Sequence, residues 1–384
     1  MNADIVLIIT LSVILLISPF ISNFLKLPIS MVEITLGSVA AAFGFLHDNE
    51  SFKLLAEVGF LYLMLLAGME VNLKELLKLE KEIYKKGFAF LLILYALSLF
   101  IVFVFGFSKI FIAILPLISI GLILSIQQEI GKTNWLNLAL QIGVMGELLS
   151  ILVLTVISGY FEFGLTEQLL LNIAILFVFL FLLGIGFLLF RSLLWWFPKL
   201  KHFLMPGVDK YHQDVRIAIS MFFIMIAVMI VLHLDVVLGA FVVGVFLTTF
   251  FDHNHNLEHK LAPFGFGFLI TVFFVHVGSS INIKDINYDM IEDALFITFL
   301  MLILRIVSSL VFIKELGLKN TVMFGMSLSM PLTLLIATAT LAYHNHTISD
   351  YWYTVLVFTA VLEVIVVMLG VKFINKLQFQ KKDS

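Results

Sequence analysis

Apolar runs about twenty residues long follow one another along almost the whole of this 384-residue chain, and a helix needs about 20 such residues to cross roughly 30 Å of hydrocarbon. Residues are 61% hydrophobic and 13% charged. A soluble domain with so little charge could not cover its own surface, so lipid must serve as solvent for much of the chain. Thirteen spans are expected, near residues 4–24, 28–46, 52–69, 87–106, 110–127, 134–158, 168–190, 213–232, 235–251, 264–281, 291–313, 319–343 and 352–374. They leave no stretch for a separate soluble domain, so residues 1–384 are read as one all-α polytopic membrane domain. The first run, Ile5 to Phe24, is long for a signal-peptide core and follows Asp4 where a basic segment would stand, so it is read as a retained helix. The absence of cysteine excludes disulfides and thiolate chemistry.

An odd number of spans puts the termini on opposite sides, and the positive-inside rule chooses between the two topologies. With the N-terminus outside, only Lys53, Lys109 and Lys284 fall outside and Arg305 falls within a span; every other Lys and Arg is cytoplasmic. This predicts a multi-pass protein of the cell (inner) membrane with a cytoplasmic C-terminus. Thirteen spans divide as six, one and six, the pattern of two inverted repeats around a linking helix. Glu147 and Glu363 stand at similar depths in the last helix of each repeat.

Ionisable groups deep in lipid are costly and mark ion pathways. Glu147, Arg305 and Glu363 are mid-span, with Glu33 and His276 nearer span interiors than ends. Each also has a structural reading. Arg305 can be a fixed counter-charge on carbonyls or on one glutamate, Glu363 can be its salt-bridge partner, and Glu33 and His276 can hydrogen-bond across helices. Gly143 and Gly146 beside Glu147 are small enough to admit another backbone or an ion. Two spans look discontinuous. Span five ends its apolar run at Leu124 and continues through Ser125 and Gln127, and span twelve contains Ser327, Ser329, Met330, Pro331 and Thr333. Pro331 removes an amide that the helix would use, and a broken helix frees carbonyls and half-helix dipoles to handle charge.

In order and at matching spacing, a set of segments resembles the Kef-type branch of the monovalent cation:proton antiporter superfamily. They are Lys26-Leu27-Pro28 with Val32-Glu33-Ile34 and Gly37, Leu55 to Gly59 running on to Leu66 to Asn72, Leu238 to Phe241 with Gly244, Phe273 to Gly278, and Ser329 to Ala337. The resemblance covers nearly the full length and implies the sodium-proton antiporter-like fold. It places the ion-binding acid on Glu147, where the family's usual residue is aspartate, with Gly146 where other members carry Asp, Asn or Gln. It places the family's basic residue on Arg305, usually Lys, the first unwound crossing around Ser125 and Gln127, and the second at Ser329, Pro331 and Thr333. It further implies a homodimer. A scaffold of residues 4–69 and 213–281, with a linker helix at 168–190, faces an ion-transport core of residues 87–158 and 291–374. No soluble regulatory domain is expected.

The function expected is secondary active exchange of Na+ or K+ for protons by alternating access. Glu147 binds each in turn, and Arg305 and Glu363 compensate charge. Arg does not deprotonate in proteins, so Arg305 cannot carry the exchanged proton, and one-for-one electroneutral exchange follows from the missing acid at Gly146. A cation channel built from the same carbonyls and a transport-inactive sensor derived from an antiporter are the alternatives. An intramembrane enzyme is a weaker rival, since the spans hold no Ser/His pair, no metal-binding His/Glu pair on one helix and no phosphate-binding Gly loop. His253, His255 and His259 lie in a loop, and no metal, cofactor or nucleic-acid partner is expected.

Overall fold

The computed structural model describes residues 3–25, 27–46, 49–71, 80–120, 123, 126, 131, 133–164, 166–197, 212–251, 256–281 and 286–380. Every regular element among them is helical. In chain order they are α1 (Ala3–Leu25), α2 (Ile29–Ala42), α3 (Glu50–Glu70), α4 (Lys81–Phe105), a single turn α5 (Phe111–Ile114), α6 (Asn134–Phe163), α7 (Glu167–Trp196), α8 (Gln213–Leu232), α9 (Val236–Phe251) and α10 (Asn256–Phe264). A π turn at Gly265–Leu269 leads into α11 (Ile270–Ser279), followed by α12 (Tyr288–Ser309), α13 (Ile313–Ser327), α14 (Leu332–His344) and α15 (Asp350–Gln380). Nine helical stretches among the described residues are long and apolar enough to cross a membrane, and Ile29–Ala42, Val236–Phe250 and Leu332–His344 are shorter apolar helices.

The pattern of burial is that of a protein dissolved in lipid. Large apolar side chains such as Phe24, Phe103 and Trp195 face outward, while Glu33, Glu147, Arg305 and Glu363 are buried. A soluble protein would do the reverse. The chain forms two compact units: unit 1 comprises Met1–Lys74 and Ser158–Lys284, and unit 2 comprises Glu75–Ile157 and Asp285–Ser384.

Unit 1 is held by backbone-to-backbone packing of two helix pairs, α2 on α11 and α3 on α9. In the first, a Cβ at Gly37 would strike the Val275 carbonyl, and one at Gly278 would strike the Ile34 carbonyl. In the second, Gly68 meets the Phe241 carbonyl and Gly244 the Leu65 carbonyl. In all four helices the contacting carbonyl lies three residues before the glycine, so one contact is built twice. Between lipid-immersed helices no hydrophobic force drives association, and close approach over small residues supplies the dispersion contact that replaces it. The duplicated contact is the packing signature of a repeated half.

Unit 2 contains the discontinuous helices. After α5 the chain is non-helical from Leu117 to Ser119, and α13 and α14 are separated by Leu328–Pro331. The first break comes earlier than the end of the apolar run at Leu124 suggests. Pro116, with no N–H to give, stands just beyond α5 and stops it there. The turn from α12 into the rest of α13 is made at Gly317, whose φ of 72° and ψ of 159° suit glycine.

Candidate functional site

Glu147 lies inside unit 2 with 2% of its surface exposed. Its helix, α6, presents Gly143, Gly146, Glu147 and Ser150 along one face, because residues three and four apart share a side of a helix. The non-helical segment after α5 lies on that face. The Ser119 hydroxyl donates to one Glu147 oxygen at 3.1 Å, and the Ile120 amide donates to the other at 3.3 Å. One residue earlier the Ile118 amide donates to the Ser150 hydroxyl at 3.2 Å. These amides are free to do so because the chain there makes no regular helical ladder. The two glycines make room: a Cβ at Gly143 would meet the Ile120 side chain at 2.7 Å, and one at Gly146 would meet Ile118 at 2.5 Å. The space beside Glu147 thus receives the unwound segment's isoleucines.

The second half repeats the motif with one addition. Ser329, in the break before α14, donates its hydroxyl to a Glu363 oxygen at 2.8 Å. Each half therefore joins a serine in its broken helix to a glutamate in its last helix. Arg305 of α12 is the addition. It is 0% exposed, donates from Nη1 to the Met301 carbonyl at 2.8 Å and from Nη2 to the Leu117 carbonyl, and stands 3.7 Å from the Glu363 carboxylate. Burying two charges is costly unless they are paired and hydrogen-bonded, and the two carbonyls supply part of that compensation. Among the described residues, Arg305 Nε and Glu363 Oε2 find no hydrogen-bond partner. Among the described residues no Lys or Arg lies within ion-pair distance of Glu147. Its link to Arg305 runs through the backbone, because Leu117 adjoins the segment that carries Ser119 and Ile120.

Ser125 and Gln127, the expected ligands of the first break, lie outside the described residues, as do His253 and His255. Among the described residues no group of three or more His, Asp or Glu is placed to hold a metal. Pro331 is the residue before α14, Thr333 is half-buried in its first turn, and the Ser327 hydroxyl donates back to the Phe324 carbonyl at 2.8 Å. Glu33 and His276 belong to unit 1, His276 edge-on to Phe52 with 5.0 Å between ring centres. Sequence reasoning missed Ser119, the Ile120 amide, Ser150 and the Leu117 carbonyl. The available signal was Pro116 with Gly121, two helix breakers that bracket Ser119.

Residues 10–376 match the family model described as sodium/hydrogen exchanger, transmembrane. The chain is 27% identical over 83% of its length to the probable Na(+)/H(+) antiporter 3 of Methanocaldococcus jannaschii, covering 82% of that protein. It is 25% identical over 94% of its length to the putative Na(+)/H(+) antiporter YjbQ of Bacillus subtilis, of which it spans only 61%. The solved structure of the sodium proton antiporter MjNhaP1 from Methanocaldococcus jannaschii superimposes with a TM-score of 0.65 at 15% identity, covering 97% of this chain and 100% of that one. That superposition gives the fold. With the family model spanning nearly the whole chain, this multi-span membrane protein belongs to the sodium/hydrogen exchanger transmembrane family.

Proposed function

We propose that the chain exchanges a monovalent cation for protons, with Glu147 as the group for which the two compete. The observation that carries this reading is a buried carboxylate held by one hydroxyl and one amide, with no Lys or Arg in reach among the described residues. An ionised carboxylate removed from water without a positive partner is costly by several kcal/mol. A proton or a metal cation relieves that cost, and one excludes the other, which is the condition for exchange. The relatives named as Na(+)/H(+) antiporters favour Na+ over K+ as the cation.

Arg305 is committed to Glu363 and to carbonyls, so the exchanged charge rests on one acid and exchange is one-for-one and electroneutral. Access alternates by movement of a core of residues 87–158 and 291–374 relative to a dimerising scaffold of residues 4–69 and 213–281. The division of the chain into two compact units, each drawn from both halves, favours that assignment. The chain sits in the cell membrane with its N-terminus outside, on the strength of its Lys and Arg distribution.

The test is a reconstituted vesicle assay in which an imposed pH gradient is dissipated by Na+, K+ or Li+ in turn. Wild-type protein should respond to Na+ with a rate unaffected by membrane voltage, and Glu147→Gln should lose the response. Retained exchange in that variant removes Glu147 from the mechanism, and voltage-dependent turnover removes the electroneutral stoichiometry.

A further inference from the structure

Unit 1 holds a buried acid that the exchange reading does not use. Glu33 of α2 is 2% exposed and so is Thr271 of α11, and the Thr271 hydroxyl oxygen lies 2.8 Å from a Glu33 carboxyl oxygen. The same hydroxyl oxygen lies 2.8 Å from the carbonyl of Phe266, within the π turn. A threonine hydroxyl has one hydrogen, a backbone carbonyl has none, and an ionised carboxylate has none. A single hydroxyl hydrogen can be shared between two acceptors, but a protonated Glu33 satisfies both contacts in full, its acid hydrogen going to Thr271 and the hydroxyl hydrogen to the Phe266 carbonyl.

We propose that Glu33 is a proton-binding site of unit 1: as a carboxylic acid it donates to Thr271, which donates to the Phe266 carbonyl. The chain Glu33 to Thr271 to Phe266 latches α2 to the π turn. A π turn inserts a residue into the α-helical ladder and such bulges occur frequently at functional sites; here the Thr271 side chain supplies a donor to one of its carbonyls. The helices that carry the two groups are held at fixed separation, because α2 and α11 touch backbone to backbone at Gly37 and Gly278.

Among the described residues, the elements around Glu33 bring no Lys or Arg to an ionised form. α1 turns the Ser18 hydroxyl, a neutral donor, toward Glu33. α2 and α11 contain no Lys or Arg, and Lys53 and Glu57 of α3 are exposed. His276 of α11 packs on Phe52, and the ion pair described in unit 1 joins Lys260 to Asp214. When Glu33 loses its proton, the single Thr271 hydrogen is drawn toward the carboxylate and the bond to the Phe266 carbonyl weakens. One proton thus selects between a latched and an unlatched π turn.

The experiment compares wild type, Glu33→Gln and Thr271→Val as full-length purified protein, by thermal unfolding and by infrared spectroscopy with 13C-labelled glutamate, from about pH 5 to about pH 9. The glutamine amide donates to Thr271 at every pH and so keeps the latch closed. A proton held by the folded form and released by the unfolded chain makes stability fall as pH rises. The wild-type midpoint should therefore fall by several degrees relative to Glu33→Gln across that range. A protonated-carboxyl stretch should vanish in Glu33→Gln and move to higher frequency in Thr271→Val, which keeps the acid and removes its acceptor. Parallel midpoints at all pH values overturn the proposal, as does a protonated-carboxyl spectrum unchanged in both variants. Neither readout depends on transport, so the result is independent of Glu147.

Discussion

The pairing of Arg305 with Glu363 can be measured by a double-mutant cycle. Glu363→Gln keeps the shape of the side chain and leaves a carbonyl to accept from Ser329 at its present 2.8 Å, so the main loss is the negative charge. At 3.7 Å and an effective dielectric of about 20, two unit charges attract by about 4.5 kcal/mol. Removing one partner of a buried pair typically costs about 3–5 kcal/mol, because the remaining charge stays buried. Arg305 keeps its two carbonyls, which places Glu363→Gln toward the low end, at about 3 kcal/mol. Arg305→Met alone strands Glu363 and releases the Leu117 carbonyl, so it should cost as much or more. The double variant should cost less than the two singles together by about 2–3 kcal/mol, a coupling expected of groups in direct contact. Unfolding in mixed micelles by a denaturing detergent provides the four free energies. Additive effects to within about 0.5 kcal/mol would refute the ion pair.

Two further outcomes follow from the packing and from the site. Gly68→Ala and Gly244→Ala each drive a methyl group into a backbone carbonyl, and each should destabilise the fold by about 1–3 kcal/mol, read in the same unfolding assay; a neutral result would show that the α3–α9 contact is looser than described. Ser119→Ala removes the hydroxyl donor to Glu147 and leaves the Ile120 amide in place. A hydrogen bond to a charged group contributes about 1.5–3 kcal/mol, so cation affinity in vesicles should weaken by roughly ten-fold or more, whereas Ser327→Ala, whose hydroxyl bonds within its own helix, should leave affinity unchanged.

The sequence made the membrane class, the order of the spans and the buried acids legible because each follows from a local rule. Length of apolar run locates a span, and charge within a span locates an exception. The partner of a buried group obeys no such local rule. Nothing around Arg305 distinguishes Glu363 from Glu147, since both glutamates sit mid-span; the choice depends on which last helix passes α12, and that is a tertiary fact. The first break illustrates a different failure. Hydrophobicity runs on to Leu124, so a reading by apolar length extends the helix across Pro116, whereas the backbone responds to the missing N–H at that proline. Ser119 escapes such a reading for the same reason, being a small polar residue in a run otherwise suited to lipid.

The two halves of unit 2 differ in how their glutamates are neutralised, and that difference bears on function. In each, a serine from a broken helix donates to a glutamate of the last helix. At Glu363 a guanidinium is permanently present, so the negative charge has an internal counter-ion and needs nothing from solution. Glu147 has a hydroxyl and an amide, which orient its oxygens without cancelling their charge. A symmetric design would fail either way. Under the exchange proposed for Glu147, two compensated acids would leave no carboxylate for a cation, and two uncompensated ones would place two charges in a low-dielectric interior. Arg305 also reaches across to the Leu117 carbonyl, in the segment that presents Ser119 and Ile120. The compensated half therefore braces the donors of the uncompensated one, and a change at Glu363 should be felt at Glu147 through Arg305 and the backbone at Leu117.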